Sequence, residues 1–224
     1  MRGPHALLLD LDGTLADSLG VMRAVFARFL AEHGGRCGPA DFERFNGPPL
    51  EAIVATLRDE LGLTDSVEAL LARYNRIIDE AYAEVRPTQG AAGLLDAARE
   101  AGWLVAIVTS NNRARTEAWL ERTGLGPLVR HVVCGEDVRC GKPSPDPYLR
   151  GLAALGVTAG AARAVEDSAQ GAASALAAGV VTFGYQPPDR PCPAWPAGIR
   201  PVTSFAELSR LLFARTAGGV IVGT

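Results

Sequence analysis

Short apolar runs alternate along this chain with longer segments in which apolar residues recur at helical spacing. The runs predict β-strands at Ala6–Leu11, Leu104–Val108, His131–Cys134, Arg163–Val165 and Val180–Phe183. Helical spacing, each time followed by the glycine that typically ends a helix, predicts helices at Gly90–Ala101, Arg113–Thr123, Pro145–Leu155 and Ser168–Ala178. This alternation predicts an α/β fold with a Rossmann-like parallel sheet, helices on both faces, and ligands bound beyond the carboxyl ends of the strands.

The segment 17–85 departs from this alternation. Its apolar residues recur at helical spacing in three stripes, where a strand and a crossover helix would be expected. The stripes run through Leu19–Leu30, Leu50–Leu61 and Val67–Tyr82. The segment holds 12 acidic residues and 7 arginines, whereas the rest of the chain holds 13 acidic and 15 basic residues. We therefore expect an all-helical inserted domain at 17–85 and an α/β core formed by 1–16 and 86–224.

The last part of the chain predicts one more strand and one more helix. Pro201–Phe205 is typical of an edge strand, and Ala206–Arg215 has helical spacing. We interpret Thr216–Thr224 as a loose tail.

Composition and charge exclude several classes of protein. The 224 residues are 48% apolar and 21% charged, which is typical of a folded globular chain. The net charge of −3 offers no general attraction to nucleic acid or to an anionic membrane, so we expect neither as a partner. The four cysteines form no CxxC pair and indicate reduced thiols.

The chain has two segments that could be mistaken for a targeting or membrane segment. The opening segment, residues 1–13, contains Asp10 and Asp12, which do not fit the apolar region of a signal peptide. The uncharged stretch Ser168–Pro188 contains polar residues, glycines and a terminal Pro-Pro, and it predicts a helix, a strand and a loop in succession. We therefore expect a cytoplasmic protein.

One residue type is nearly missing. Of the 22 basic residues, 21 are arginine and one is lysine, Lys142. A single lysine in such a chain is either a chance survivor or a position that needs a compact ammonium group, which a planar guanidinium does not replace. The count alone does not choose between these interpretations.

Polar residues follow the predicted strands at the sheet edge where ligands are expected. They are Asp10 and Asp12, Thr109-Ser110-Asn111, Lys142, and Glu166-Asp167. A regular strand would place Asp10 and Asp12 on one face as a coupled pair, and a hard cation between Asp10 and the second acidic pair would relieve their repulsion. Each segment taken alone also has a purely structural interpretation, as a turn or as a helix N-cap.

Together and in this order, the segments resemble the motifs of the haloacid dehalogenase superfamily, in the phosphatase and phosphomutase branch with a helical cap inserted after the first strand. The motifs are Leu9-Asp10-Leu11-Asp12-Gly13-Thr14-Leu15-Ala16-Asp17-Ser18, Ile107-Val108-Thr109-Ser110-Asn111, Gly141-Lys142-Pro143-Ser144-Pro145 and Val165-Glu166-Asp167-Ser168. The resemblance covers essentially the whole chain. It implies the family's catalytic core, with 17–85 as the cap.

The resemblance also implies a role for each residue. Asp10 would be the nucleophile that forms an aspartyl-phosphate, and Asp12 would be the general acid and then the general base. Lys142 would neutralise the phosphoryl oxygens, which Thr109 and the backbone of Ser110 and Asn111 would also bind.

The resemblance implies Mg²⁺ as the cofactor. The family's pattern would place the ion on the carboxylate of Asp10, the backbone carbonyl of Asp12 and the carboxylate of Asp167, with Glu166 as a further ligand.

Two features favour phosphate chemistry within the superfamily. Its dehalogenases and phosphonoacetaldehyde hydrolases lack a carboxylate at the position of Asp12, and the latter need a cap lysine, whereas 17–85 contains none. We therefore expect a phosphatase that hydrolyses a small phosphorylated metabolite, of the sugar phosphate or phosphoglycolate type, and that is a monomer or weak homodimer. A sugar phosphomutase and a non-catalytic phospho-ligand binding protein are the alternatives.

Substrate specificity in this branch resides in the cap. The segment Arg44–Leu50 resembles the family's specificity loop, in which Arg44, Asn46 and Gly47 are candidate substrate-binding residues. The Gly-Pro-Pro within it is also simply a helix break.

Overall fold

Six parallel strands form one sheet in the computed structural model, which describes residues 5–38, 41–42, 44 and 50–213. The strands are β1 (Ala6–Leu9), β2 (Leu104–Val108), β3 (His131–Val133), β4 (Ala162–Glu166), β5 (Val181–Tyr185) and β6 (Arg200–Val202). Their order across the sheet is β3-β2-β1-β4-β5-β6, so the direction of winding reverses between β1 and β4. In open parallel sheets, the crevice at this reversal is where ligands bind.

The register of the central strands aligns the residues that follow them. Leu9, the last residue of β1, pairs with Ile107 of β2 and with Val165 of β4. All four residues of β1 are buried, as expected for a strand covered on both faces. The polar residues that come next in the three strands therefore lie at one edge of the sheet.

Helices cover both faces of this sheet, as the alternating pattern predicted. The described helices are α1 (Leu19–Glu32), α2 (Leu50–Leu61), α3 (Val67–Tyr82), α4 (Ala91–Glu100), α5 (Arg113–Thr123), α6 (Asp146–Leu155), α7 (Ala169–Ala177) and α8 (Phe205–Phe213). Leu8 belongs to a buried cluster with Tyr148 of α6, on one face. Leu7 belongs to the cluster with Trp119 of α5 on the other face, together with α4 and α8. The predicted α/β class is confirmed.

The helices α1, α2 and α3 all come between β1 and the rest of the sheet, and α3 packs against both of the others. The rings of Phe29 and Tyr74 lie 4.7 Å apart, and Val54 and Leu57 of α2 are buried in the same cluster. The chain leaves and re-enters the core at one place, since the Asp17 N–H donates to the Arg86 carbonyl at 2.9 Å. The two chain segments that flank these helices therefore lie side by side.

Several element ends differ from the sequence prediction. β1 ends at Leu9 and not at Leu11, because Leu11 accepts the N–H groups of Thr14 and Ala16 in a turn instead of continuing a ladder. β5 runs on to Tyr185, and the last strand is the three-residue edge strand β6. The final helix begins at Phe205, and the predicted tail, Thr216–Thr224, lies outside the described residues.

Two other expectations can be compared with the structure. Cys37, Cys134, Cys140 and Cys192 are all free thiols. The stretch Ser168–Pro188 contains α7 and β5. Among the described residues, no helix combines the length and the apolar character that crossing a membrane requires.

Candidate active site

Asp10 follows β1 directly and lies within a buried group of charges. Its N–H donates to the Val165 carbonyl at 3.0 Å, which carries the sheet pairing one residue beyond the strand. The ammonium of Lys142 donates to Asp10 Oδ1 at 2.6 Å and to the Val108 carbonyl at 2.9 Å, and it lies 2.6 Å from Glu166 Oε1. These three oxygens match the three donors of an ammonium group, and the lone lysine is therefore placed against Asp10.

Three carboxylates converge at this point. Oxygens of Asp10, Glu166 and Asp167 all lie within 4.8 Å of one another. Two glycines make room for them: a Cβ on Gly13, which has a φ of +83°, would lie 1.9 Å from Asp167 Oδ2, and one on Gly171 would lie 2.1 Å from the Glu166 carboxylate. The acidic cluster thus depends on two positions without side chains.

Two carboxylates of this cluster, Asp10 and Asp167, have a raised pKa. Burial raises the pKa of Asp10 to about 7 against the opposing effect of Lys142, and Glu166 raises it further. Burial, then the charges of Asp10 and Glu166, raise the pKa of Asp167 well above its ordinary value. Burial opposes the charged form of Lys142, but Asp10 and Glu166 outweigh it and hold the pKa of the ammonium above its ordinary value.

The donor set fits a hard divalent cation. It consists only of carboxylate oxygens, which Mg²⁺ and similar ions prefer, and a cation among them would balance their buried negative charge.

Glu166 also has partners within the protein. It is fully buried, and its oxygens accept hydrogen bonds from the Tyr148 hydroxyl at 2.6 Å and the Ser168 hydroxyl at 3.2 Å. Burial, followed by the charge of Glu166, raises the pKa of Tyr148 well above its ordinary value, so the phenol stays a donor. Glu166 therefore holds Lys142 together with Asp10. Sequence reasoning missed Tyr148, because its spacing is that of the apolar side of its helix.

The segment after β2 forms the neighbouring wall. Thr109 is buried, and its Oγ1 accepts the N–H of Asn111 at 3.0 Å. Ser110 is exposed and lines the cavity. The N-cap of α5 is Asn112, whose side chain accepts the Arg115 N–H at 2.8 Å, and not Ser110 or Asn111 as the structural interpretation had it.

Asp12 lies beyond the end of β1, in the turn that replaces the expected regular strand. Its Oδ1 accepts a hydrogen bond from the Tyr82 hydroxyl at 2.8 Å, and its Oδ2 accepts one from Asn111 Nδ2 at 3.0 Å. Asp12 and Asp10 nevertheless face the same cavity. Tyr82 comes from the end of α3, and the sequence showed it only as one member of an apolar stripe.

A cavity of about 760 Å³ lies over these groups. Its core-side lining includes Asp10, Asp12, Thr109, Ser110, Asn111, Lys142 and Asp167. Its helical side includes Leu19, Met22, Phe42, Leu50, Glu51, Ile53, Leu71 and Asn75. The polar groups predicted at the sheet edge and the inserted helices therefore enclose one space.

The expected specificity loop is only partly described. Arg44 is exposed and forms an ion pair with Glu60 of α2, and it is not among the residues that line the cavity. Asn46 and Gly47 lie outside the described residues.

Arg190 is a neighbour that no motif indicated. It comes from the loop after β5, and its guanidinium donates to the Gly13 carbonyl at 2.5 Å and to Asp17 at 3.1 Å. The same group lies 4.0 Å from Asp167 Oδ2 and stacks over Tyr185. It therefore braces the turn after β1 against the acidic cluster.

Comparisons with known proteins agree with this arrangement. A family model for haloacid dehalogenase-like hydrolases matches residues 7–185. Protein CbbY of Rhodobacter capsulatus is 34% identical over 190 residues, which cover 78% of this chain and 82% of that protein. The plasmid phosphoglycolate phosphatase of Cupriavidus necator is 33% identical over 197 residues, covering 83% and 84%.

A solved structure is similar over nearly its whole length. It is a HAD family hydrolase from Deinococcus radiodurans with bound phosphate and sodium, which has a TM-score of 0.73 and 32% identity. The match covers 93% of this chain and 95% of that one.

Proposed function

The chain belongs to the haloacid dehalogenase-like hydrolase family and is a hydrolase of phosphate esters, and we propose that it is a Mg²⁺-dependent phosphatase acting through an aspartyl-phosphate on Asp10. The proposed substrate is a small phosphomonoester of the sugar phosphate or phosphoglycolate type. The observation that carries the proposal is the placement of Asp10, a buried carboxylate paired with the only lysine, in one cavity with Asp12.

The first step would be attack by the Asp10 carboxylate on phosphorus. A bond forms between a carboxylate oxygen and phosphorus, the bond from phosphorus to the ester oxygen breaks, and Asp12 gives its proton to the departing oxygen. Lys142 reduces the repulsion between Asp10 and the incoming phosphate dianion, because its ammonium lies 2.6 Å from Asp10 Oδ1.

The second step would release phosphate. Asp12, now ionised, accepts a proton from a water molecule whose oxygen attacks phosphorus, and the bond to Asp10 breaks to regenerate the free carboxylate. Thr109 and Ser110 line the cavity together with Asp10, and the Thr109 hydroxyl and the Ser110 backbone N–H would bind the phosphoryl oxygens.

The acidic cluster would hold the metal. We assign Asp10, Asp167, the backbone carbonyl of Asp12 and Glu166 as the residues around it. When bound, Mg²⁺ supplies positive charge that balances the carboxylates and the phosphoryl oxygens. Glu166 has a second role in this proposal, because it also orients Lys142.

The helices α1 to α3 would act as a cap domain, comprising 17–85, on a core of 1–16 and 86–224. Two features support this division: the helices pack on one another, and the chain enters and leaves them through adjacent segments. A cap over the cavity would exclude bulk water while Asp10 attacks the ester, and it would contact the part of the substrate beyond the phosphate.

The test is release of inorganic phosphate from a panel of sugar phosphates, phosphoglycolate and nucleotide monophosphates, with Mg²⁺ and with EDTA. We expect release that EDTA abolishes and that Asp10→Asn lowers by roughly 10⁴-fold or more, because the amide is a poor nucleophile of nearly the same shape. Asp96→Asn, in a half-exposed ion pair with Arg99 on α4, is the matched control for the exchange itself.

Two outcomes would contradict the proposal. Asp10→Asn with wild-type activity would remove Asp10 as nucleophile, provided that its circular dichroism and melting temperature match the wild type. Conversion of a sugar phosphate to an isomer without phosphate release would identify a phosphomutase.

A further inference from the structure

Both oxygens of Asp12 are held by neutral donors from different parts of the fold. The Tyr82 hydroxyl, at the end of α3, donates to Oδ1 at 2.8 Å. The Asn111 amide, in the segment after β2, donates to Oδ2 at 3.0 Å. Each oxygen of a carboxylate has two lone pairs, so a single donor on each still leaves a position for a transferable proton.

The orientation of the Asn111 amide is fixed by its own partners. Its Oδ1 accepts hydrogen bonds from Arg115 Nη1 at 2.7 Å and from the Asn112 N–H at 2.9 Å. Both of these groups are donors, so the oxygen of the amide must face them and the NH₂ must face Asp12. Asn111 is therefore set as a donor to Asp12 and not as an acceptor.

Arg115 connects this amide to the inserted helices. Its side chain is 7% exposed, and its remaining nitrogens donate to Asp79 Oδ1 at 2.6 and 2.8 Å and to Asn75 Oδ1 at 3.2 Å. Its guanidinium lies 5.9 Å from the centre of the Tyr82 ring. Asn75, Asp79 and Tyr82 all belong to α3, so one helix holds both donors of Asp12, one directly and one through Arg115.

We propose that Tyr82, Asn111 and Arg115 are positioning residues that hold the carboxyl group of Asp12 for proton transfer, an inference that rests on the proposed function. Proton transfer requires the carboxyl oxygen within hydrogen-bonding reach of the ester oxygen. An Asp12 side chain without these donors rotates freely about its χ angles, and the proton then reaches the leaving group less often.

The test compares two esters of similar size that differ in how much they need a proton. Benzyl phosphate releases an alcohol that leaves poorly without protonation, whereas p-nitrophenyl phosphate releases a stable phenolate. The measured quantity is kcat/KM, which covers the steps up to cleavage of the ester bond and excludes the later hydrolysis of the aspartyl-phosphate. A defect in Asp12 positioning therefore lowers kcat/KM for the benzyl ester much more than for the nitrophenyl ester.

Tyr82→Phe removes only the hydroxyl and keeps the ring in the core. We expect kcat/KM for benzyl phosphate to fall by about 10- to 100-fold, part of the roughly 10²- to 10⁴-fold contribution of a general acid, and kcat/KM for p-nitrophenyl phosphate to change by less than about 3-fold. Arg115→Gln should give the same pattern more weakly, because it acts through Asn111.

Arg73→Gln is the matched control, because Arg73 joins α3 to Glu32 of α1. Among the described residues, its side chain has no hydrogen bond to Asp12, Tyr82, Asn111 or Arg115. It should leave the ratio of the two kcat/KM values unchanged. An equal loss on both esters in Tyr82→Phe would show a merely structural role and overturn the inference, as would no loss on either.

The experiment also separates this inference from the proposed function. Wild-type protein that releases phosphate from neither ester, nor from any member of the substrate panel, contradicts the phosphatase itself. Active wild type with an unchanged ester ratio in both variants contradicts only the positioning role.

Discussion

The two sides of the cavity are constructed differently. On the sheet side, Asp10 and Asp167 follow β1 and β4, so the register of two buried strands sets their separation. On the helical side, Asn75, Asp79 and Tyr82 come from one helix and reach the site through side-chain hydrogen bonds alone. Backbone pairing fixes the first group and helix packing fixes the second, so equivalent substitutions on the two sides should have different consequences.

The sharpest test of this difference exchanges one basic residue on each side. Lys142→Arg should lower kcat/KM by at least about 100-fold, because a planar guanidinium does not fit a buried site whose three oxygens match an ammonium group. Arg73→Lys, the reverse exchange in the half-exposed pair with Glu32, should change it by less than about 2-fold. Phosphate release measures both, and a Lys142→Arg variant within a factor of ten of wild type would refute the distinction.

A second, smaller contrast uses two glycines with positive φ. Gly13→Ala places a Cβ 1.9 Å from Asp167 Oδ2, whereas Gly34→Ala, after α1, has nothing within 4 Å. Both substitutions should lower the free energy of unfolding by roughly 1–2 kcal/mol through backbone strain. Only Gly13→Ala should also raise the Mg²⁺ concentration needed for half-maximal activity and lower kcat by about 10-fold or more. Urea unfolding and Mg²⁺ titration of phosphate release check both parts. Equal metal dependence in the two variants would contradict the crowding at Asp167.

A third contrast concerns stability as a function of pH in metal-free protein. The folded state holds the Asp10 proton up to a pKa of about 7, whereas its ordinary value is 3.8, so the folded state binds more protons in this window. The free energy of unfolding should therefore fall as pH rises from about 4 to about 7, by on the order of 2–4 kcal/mol. On the helical side, the contribution of Glu32 to this pH dependence has the opposite sign. Its hydrogen bonds with Arg73 and Arg28 hold the pKa of Glu32 below the ordinary value despite partial desolvation.

Urea unfolding in EDTA at several pH values measures this slope. Asp10→Asn should flatten it, and Glu32→Gln, the matched amide exchange on α1, should not. Added Mg²⁺ should stabilise the protein more at the upper end of the range, since the ion competes with protons for the same carboxylates. A free energy of unfolding that rises with pH in the metal-free wild type would contradict the raised pKa of Asp10.

The sheet side could be predicted from sequence because its information is local. Apolar runs locate the strands, and a parallel sheet brings their carboxyl ends to one edge, so the sequence predicts Asp10, Asp167 and Lys142 close together. The end of β1 was predicted two residues too late, since Leu11 is as apolar as the strand but accepts hydrogen bonds in the following turn.

The helical side could not be predicted in the same way. Tyr82 has the spacing of a core residue and is indeed buried, so its pattern contains no sign that its hydroxyl reaches Asp12, 70 residues earlier in the chain. In the sequence, Arg115 and Asp79 are typical of exposed charged residues, and only the packing of α3 against α5 brings them together. Such contacts depend on tertiary packing, which a local sequence pattern does not predict.

The presence of one lysine in the chain, inside the acidic cluster, also makes the site unusually easy to observe. Protein labelled with ¹⁵N in lysine alone carries a single labelled residue, Lys142, because no other lysine exists in the sequence. Nuclear magnetic resonance would then show one backbone signal and one side-chain signal, both from the group that contacts Asp10. Phosphate analogues, metal exchange and the Tyr82→Phe substitution could each be followed at the reacting centre without assigning any other residue.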